Sequence, residues 1–210
     1  MRLTVFGASG GIGRQIVEQA LAAGHHVTAV VRDPGAVTAT GGRLEVAPVR
    51  FDDPGALRAA VAGRDAVLSG LGPRSRKHVG VASALTRLVV EALEETGTRR
   101  FLAVSAAPLG PVPRDETPYL RVMTPLVSRI LREHYDDLRV MEADLRRGST
   151  DWTVLRPPRL VDRPLTGVYR TAVGAGLRGG ARIARADAAH AMLALIDDPS
   201  ALRQPVAVAY

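Results

Sequence analysis

The first thirteen residues constrain this chain most. Leu3-Thr4-Val5-Phe6 is a short apolar, β-branched run, and it ends in Gly7-Ala8-Ser9-Gly10-Gly11-Ile12-Gly13. Ile16, Val17, Ala20 and Leu21 follow at helical spacing. Strand, glycine turn and amphipathic helix in immediate succession form the opening unit of a dinucleotide-binding α/β fold. Gly7 permits the tight turn, Gly10 lets main chain approach a diphosphate, and Gly13 lets the helix pack close to the strand. The helix N-terminus then presents free N–H groups and a partial positive charge to the phosphates. The spacing is Gly-x-x-Gly-x-x-Gly rather than Gly-x-Gly-x-x-Gly, so a purely structural turn is the competing reading. A second β-branched run, His26–Val31, follows where the fold requires one.

The end of that second run is where such folds read the adenosine ribose. An acidic side chain there accepts from the ribose hydroxyls, whereas an arginine suits a 2′-phosphate. Arg32 stands at that place and favours NADP(H) over NAD; the alternative is a solvated arginine at a strand end. Asp33 precedes Pro34 and is read as the start of a turn. Further strands are expected at 44–47, 65–68, 101–104, 152–155 and 205–209, with a short one at 168–170. Helices are expected after Asp53, over 78–96, over 119–133 with an interruption at Pro125, over 136–147 and over 186–196. Ser69-Gly70-Leu71-Gly72-Pro73-Arg74 is a second glycine turn at a strand end and should face the cofactor. Alternating strands and helices imply a doubly wound parallel sheet, the Rossmann fold, with a small C-terminal substrate-side lobe. One domain over 1–210 is expected, in which 106–135 and 157–182 form the substrate-side loops.

Composition narrows the function classes. The chain has 210 residues and no cysteine, which removes disulfides, thiolate chemistry and cysteine-ligated metal; no metal site is expected. No apolar run reaches about 18 residues, so no membrane span is expected. The opening residues read as a strand rather than a signal peptide, and the expectation is a cytoplasmic protein. Net charge is +7, carried almost wholly by arginine, with Lys77 the single lysine. The arginines are scattered and aromatics amount to 4%, so the expected partner is a small molecule and not nucleic acid. Oligomeric state is left open.

Several segments occur in a familiar order: the glycine turn, Val31-Arg32-Asp33-Pro34, Asp65-Ala66-Val67-Leu68-Ser69, Ser105-Ala106, Asp151-Trp152-Thr153-Val154-Leu155-Arg156-Pro157-Pro158 and Arg185-Ala186-Asp187-Ala188-Ala189. Together they resemble the atypical short-chain dehydrogenase/reductases, and within them the NmrA-like and biliverdin reductase B (flavin reductase)-like branch. The resemblance covers nearly the whole chain. It implies NADP(H) across the strand ends and reductase activity on flavins, quinones or other small carbonyl or conjugated compounds. It assigns Gly7, Ser9, Gly10, Gly11 and Ile12 to the diphosphate, Arg32 to the 2′-phosphate, and Leu71, Gly72 and Arg74 to the second cofactor loop. It sets Ser105 near the nicotinamide and Pro157 and Pro158 against the carboxamide. One departure is Arg50, which stands where related chains carry an aspartate for the adenine; it is read as a second group for the 2′-phosphate.

The better-known branch of these enzymes works with a Tyr-x-x-x-Lys pair, in which the lysine lowers the tyrosine pKa. The nearest counterpart here is Tyr135-Asp136-Asp137-Leu138-Arg139, with arginine in the lysine position. Arg139 holds its proton, but its charge can depress the Tyr135 pKa; the alternative is that Tyr135 packs. Leu138 stands where the flavin-reductase branch often has a histidine. Asp137 and Glu142 are read as helix-packing groups. Hydride transfer to a flavin or quinone needs proximity and takes its proton from water if necessary. The expected function is therefore an NADP(H)-dependent reductase, with Ser105 and Tyr135 as candidate catalytic groups. The alternative is a non-catalytic NADP(H) sensor with a protein partner; an isomerase would need the missing tyrosine–lysine pair.

Overall fold

The computed structural model describes residues 1–71 and 80–210. In chain order the elements are β1 (Arg2–Phe6), α1 (Gly11–Ala22), β2 (His26–Val31), β3 (Leu44–Pro48), α2 (Pro54–Val61), β4 (Ala66–Ser69), α3 (Val81–Thr96) and β5 (Arg100–Val104). They continue with α4 (Pro118–Ile130), α5 (Arg132–Arg147), β6 (Asp151–Arg156), β7 (Arg159–Val161), β8 (Arg170–Val173), β9 (Arg182–Ala184), α6 (Arg185–Ala194) and β10 (Gln204–Ala209). Eight strands form one sheet in the order β3-β2-β1-β4-β5-β6-β10-β8. All its pairings are parallel except β10 with β8. This is a Rossmann-type α/β sandwich.

Helices cover both faces of the sheet, so the central strands are buried on both sides and read as continuous apolar runs. Side chains alternate along each strand. Leu3, Val5, Leu68, Leu102 and Leu155 pack with Ile16 and Val17 of α1 and Ala188 and Met192 of α6. Phe6, Val67, Phe101 and Val154 pack on the opposite face with Leu57 of α2, Val89 and Leu93 of α3, and Met141 and Leu145 of α5. Thr4 sits fully buried among them because its hydroxyl donates to the Ala60 carbonyl, 2.6 Å away.

Three local expectations are corrected. The short strand expected at 168–170 lies at Arg170–Val173, where it pairs with β10 as the antiparallel edge. The helix expected over 119–133 with an interruption at Pro125 runs through that residue unbroken: Pro125 is exposed, so the carbonyl it leaves without a partner can bond water. The break comes at Leu131 instead. A two-stranded parallel sheet, β7 with β9, was not expected; each strand has only three residues. The start of the helix expected at 78 lies outside the described residues.

Candidate active site

The parallel strands deliver their C-terminal ends to one edge. Phe6 lies beside Val30 and Ser69, and Val104 beside Leu155. Winding changes direction between β1 and β4, which leaves a crevice at their ends. Gly7 adopts φ 70° there, a left-handed conformation that favours glycine. A Cβ on Gly13 would run into the Gly7 carbonyl, and one on Gly70 would stand 2.9 Å from the Gly13 nitrogen. The two glycine turns therefore touch, and the N-terminus of α1 is pressed against the sheet edge.

Helix ends in this chain are treated differently. Asp53 caps α2 by accepting from the Ala56 N–H at 3.0 Å. Asp137, reaching over from α5, caps α3 by accepting from the Ala82 and Ser83 N–H groups, each at 3.0 Å. α1 has Gly10 at its cap, no side-chain cap bond and no acidic residue in its first turn. Its orphan N–H groups open on the crevice, and that arrangement fits a diphosphate. Gly7, Ser9 and Gly10 are half-buried around it, Gly11 is exposed, and Ile12 buries its side chain while its main chain belongs to the first turn.

Arg32 follows β2, is exposed and has no ion-pair partner among the described residues. Asp33 is spent locally, accepting from the Gly35 N–H at 3.0 Å. Arg50 is paired with Asp52 at 2.6 Å on the surface. Leu71 is half-buried and its N–H reaches the Ser69 hydroxyl at 3.3 Å. Gly72 and Arg74 lie outside the described residues.

Beside the crevice, at the ends of β5, β6 and β10, lies a cavity of about 690 Å³. Residues of both expected substrate-side loops, 106–135 and 157–182, wall it, and Ser105, Tyr135, Arg156, Pro157 and Pro158 line it. The Pro157 carbonyl accepts from the Ala107 N–H at 2.9 Å. Ser105 donates its hydroxyl proton to Glu142 Oε1 at 2.8 Å. Arg156 grips the same carboxylate through Nε at 3.0 Å and Nη2 at 2.5 Å, and Arg146 adds a bond at 2.7 Å. Burial pushes the Glu142 carboxyl up, but the hydrogen bonds from Arg156 and Ser105 and the charges of Arg156 and Arg146 outweigh it and hold it below the usual carboxylate range. Glu142 is thus an ionised acceptor, and the Ser105 hydroxyl offers only lone pairs to anything in the cavity.

The expected influence of Arg139 on Tyr135 is corrected. Arg139 turns to Asp136 at 2.5 Å, and burial raises the Tyr135 pKa above its ordinary value. The Tyr135 ring lines the cavity, and its hydroxyl makes no hydrogen bond among the described residues. Leu138 packs into the core beneath.

A family model described as NAD(P)H-binding matches residues 7–199. The chain belongs to this NAD(P)H-binding family. Solved structures agree in fold. A candidate exported protein from Burkholderia pseudomallei superposes with a TM-score of 0.78 at 26% identity, covering 100% of both chains. A short-chain dehydrogenase/reductase from Veillonella parvula in complex with NADP gives 0.79 at 22% identity, covering 100% of this chain and 94% of that one. A candidate NADH-flavin reductase from Streptococcus pneumoniae gives 0.77 at 23% identity, covering 100% and 99%. No helix among the described residues is long and apolar enough to cross a membrane.

In this NAD(P)H-binding chain the residue that sequence reasoning undervalued is Glu142. A packing role does not describe it: it holds Ser105 and Arg156 at the cavity floor. A signal was present: Glu142 falls four residues after Leu138 and three before Leu145, on the apolar face of α5. A carboxylate on such a face needs a buried partner. The partners lie 37 and 14 residues away, on β5's end and on β6, beyond any local pattern.

Proposed function

We propose that this chain is an NADP(H)-dependent reductase of a small organic acceptor: a flavin, a quinone or another carbonyl or conjugated compound. The observation that carries the reading is the uncapped α1 N-terminus at the switch point, directly beside a roomy cavity. In this reading the main chain of Gly7, Ser9, Gly10, Gly11 and Ile12 holds the diphosphate and Arg32 takes the 2′-phosphate. Leu71, Gly72 and Arg74 form the second cofactor loop, and Pro157 and Pro158 flank the carboxamide. Bound NADPH supplies a hydride.

The chain's own work is to orient the acceptor and keep water from it. Glu142 fixes Ser105, so Ser105 accepts a hydrogen bond from a donor on the cofactor or the acceptor. Tyr135 stays protonated at neutral pH, because burial raises its pKa, so its hydroxyl serves as a donor and not as a base. Proline, alanine, leucine and methionine side chains make up most of the cavity wall and suit a flat conjugated compound. The likeness to the Streptococcus pneumoniae protein supports a flavin among the first acceptors to try. We place the activity in the cytoplasm, where reduced nicotinamide cofactor is drawn on, and cell fractionation checks that placement.

The test is NADPH oxidation, followed by absorbance, with a panel of flavins, quinones and carbonyl compounds. Turnover with at least one conjugated acceptor is expected. Tight NADPH binding with no turnover on any acceptor would favour a second reading, an NADP(H) sensor of the NmrA-like kind. The exposed apolar side chains Val122, Leu126 and Ile130 along α4, next to the cavity, support that alternative.

A further inference from the structure

α6 packs along α1, and the Gln19 side chain ties them by donating to the Ala186 carbonyl at 2.9 Å. Gln19 lies near the C-terminal end of α1, so the first turn of α6 packs beside the later part of α1, and the long Arg185 side chain spans back toward the α1 N-terminus. α6, like α1, has no side-chain cap. Its first residue is Arg185, a cation at the end of a helix where the dipole disfavours one. The Arg185 side chain runs across Gly11: a Cβ at Gly11 would stand 2.6 Å from Arg185 Cδ and 2.7 Å from Nε. The only carboxylate in the first turn of α6, Asp187, is already spent. It accepts from the Thr166 and Gly167 N–H groups and from the Thr166 and Tyr210 hydroxyls. Arg185 has one ion-pair partner among the described residues, Asp162 at 2.6 Å, and the Asp162 side chain is 88% exposed. A guanidinium from α6 thus reaches the first turn of α1 at the glycine turn, balanced by one solvated carboxylate.

We infer that Arg185 is a side-chain anchor for the cofactor diphosphate, and that Asp162 holds it in waiting. This rests on the NADP(H) reading of the crevice. When the diphosphate arrives, the guanidinium exchanges Asp162 for phosphate oxygens, whose fork geometry it matches. The arginine passes close over Gly11, where a side chain would make it shift. Asp162 is then a competitor of the ligand, so removing its charge strengthens binding.

Calorimetry on the full chain separates the possibilities with three ligands: NADPH, ADP-ribose 2′-phosphate, which keeps the diphosphate, and adenosine 2′-monophosphate, which lacks it. Arg185→Ala is expected to weaken the first two by about tenfold to a hundredfold and to leave the third unchanged. Arg185→Lys restores part of the loss, since it returns the charge without the fork. Asp162→Asn, at an exposed position that leaves folding intact, tightens NADPH by about twofold to fivefold. Unchanged NADPH affinity in Arg185→Ala, an equal loss for all three ligands, or weaker binding in Asp162→Asn would overturn the anchor and leave the NADP(H) reading standing. Failure of the unmodified chain to bind any of the three would overturn both.

Discussion

α1 and α4 have nearly the same length, 12 and 13 residues, and both carry apolar side chains at helical spacing. α1 buries Ile12, Gly13, Ile16, Val17 and Ala20. α4 buries none of its residues: Val122 is 70% exposed and Ile130 63%. The difference follows from what each helix faces. α1 lies on the sheet beside α6, and its N-terminus is held against the glycine turns. α4 is a cavity wall: Tyr119, Leu120, Met123, Thr124 and Val127 line the cavity, while Val122, Leu126 and Ile130 are exposed. A helix with so few buried contacts opens at low free energy. α1 is a fixture and α4 an adaptable wall.

The largest effect tests whether α5, which joins the two regions, belongs to the fixture. Glu142→Ala leaves Arg156 buried without its carboxylate and is expected to cost about 3–5 kcal/mol. The thermal midpoint should fall by about 10 °C. A loss under about 1 kcal/mol would place α5 with the adaptable wall. Next, Ile16→Ala on α1 should cost about 2–5 kcal/mol in denaturant unfolding. A cost no larger than that of a matching change on α4 would break the comparison.

Ligand binding sharpens it from the other side. Arg32→Ala should lower NADPH affinity about tenfold to a hundredfold and leave NADH affinity nearly unchanged. Equal loss for both cofactors would remove Arg32 from the 2′-phosphate. The pH dependence has a definite sign. The Glu142 carboxyl is held below its unfolded value of about 4.3. Its contribution is therefore complete above that value and is lost as pH falls through the lower folded value. Thermal midpoints measured from about pH 5 down to about pH 3 should decline in the natural chain and decline less steeply in Glu142→Gln. The smallest effect belongs to Ile130→Ala on α4, which should change stability by no more than about 0.5 kcal/mol.

The same contrast governs what could be read before the structure. β1, α1 and β2 were legible because burial on both faces enforces apolar runs and because Gly7 and Gly13 have no substitutes where they stand. Asp33 and Asp53 announced their turn and their cap through the prolines that follow them. The wall was less legible. β7 and β9 are three residues each, too short to carry an alternation. β8 is an edge strand whose pattern is mostly exposed. Pro125 pointed to a break that water makes unnecessary. The Ser105–Glu142–Arg156 cluster joins residues from three separate elements, so no spacing encodes it.

On the proposed reading, the crevice at the uncapped end of α1 holds a phosphorylated nicotinamide dinucleotide. Isothermal titration of the unmodified chain with NADPH and with NADH tests it most directly. Saturable binding of both is expected, with NADPH tighter by about tenfold or more. No heat with either cofactor, or a preference for NADH, would contradict it.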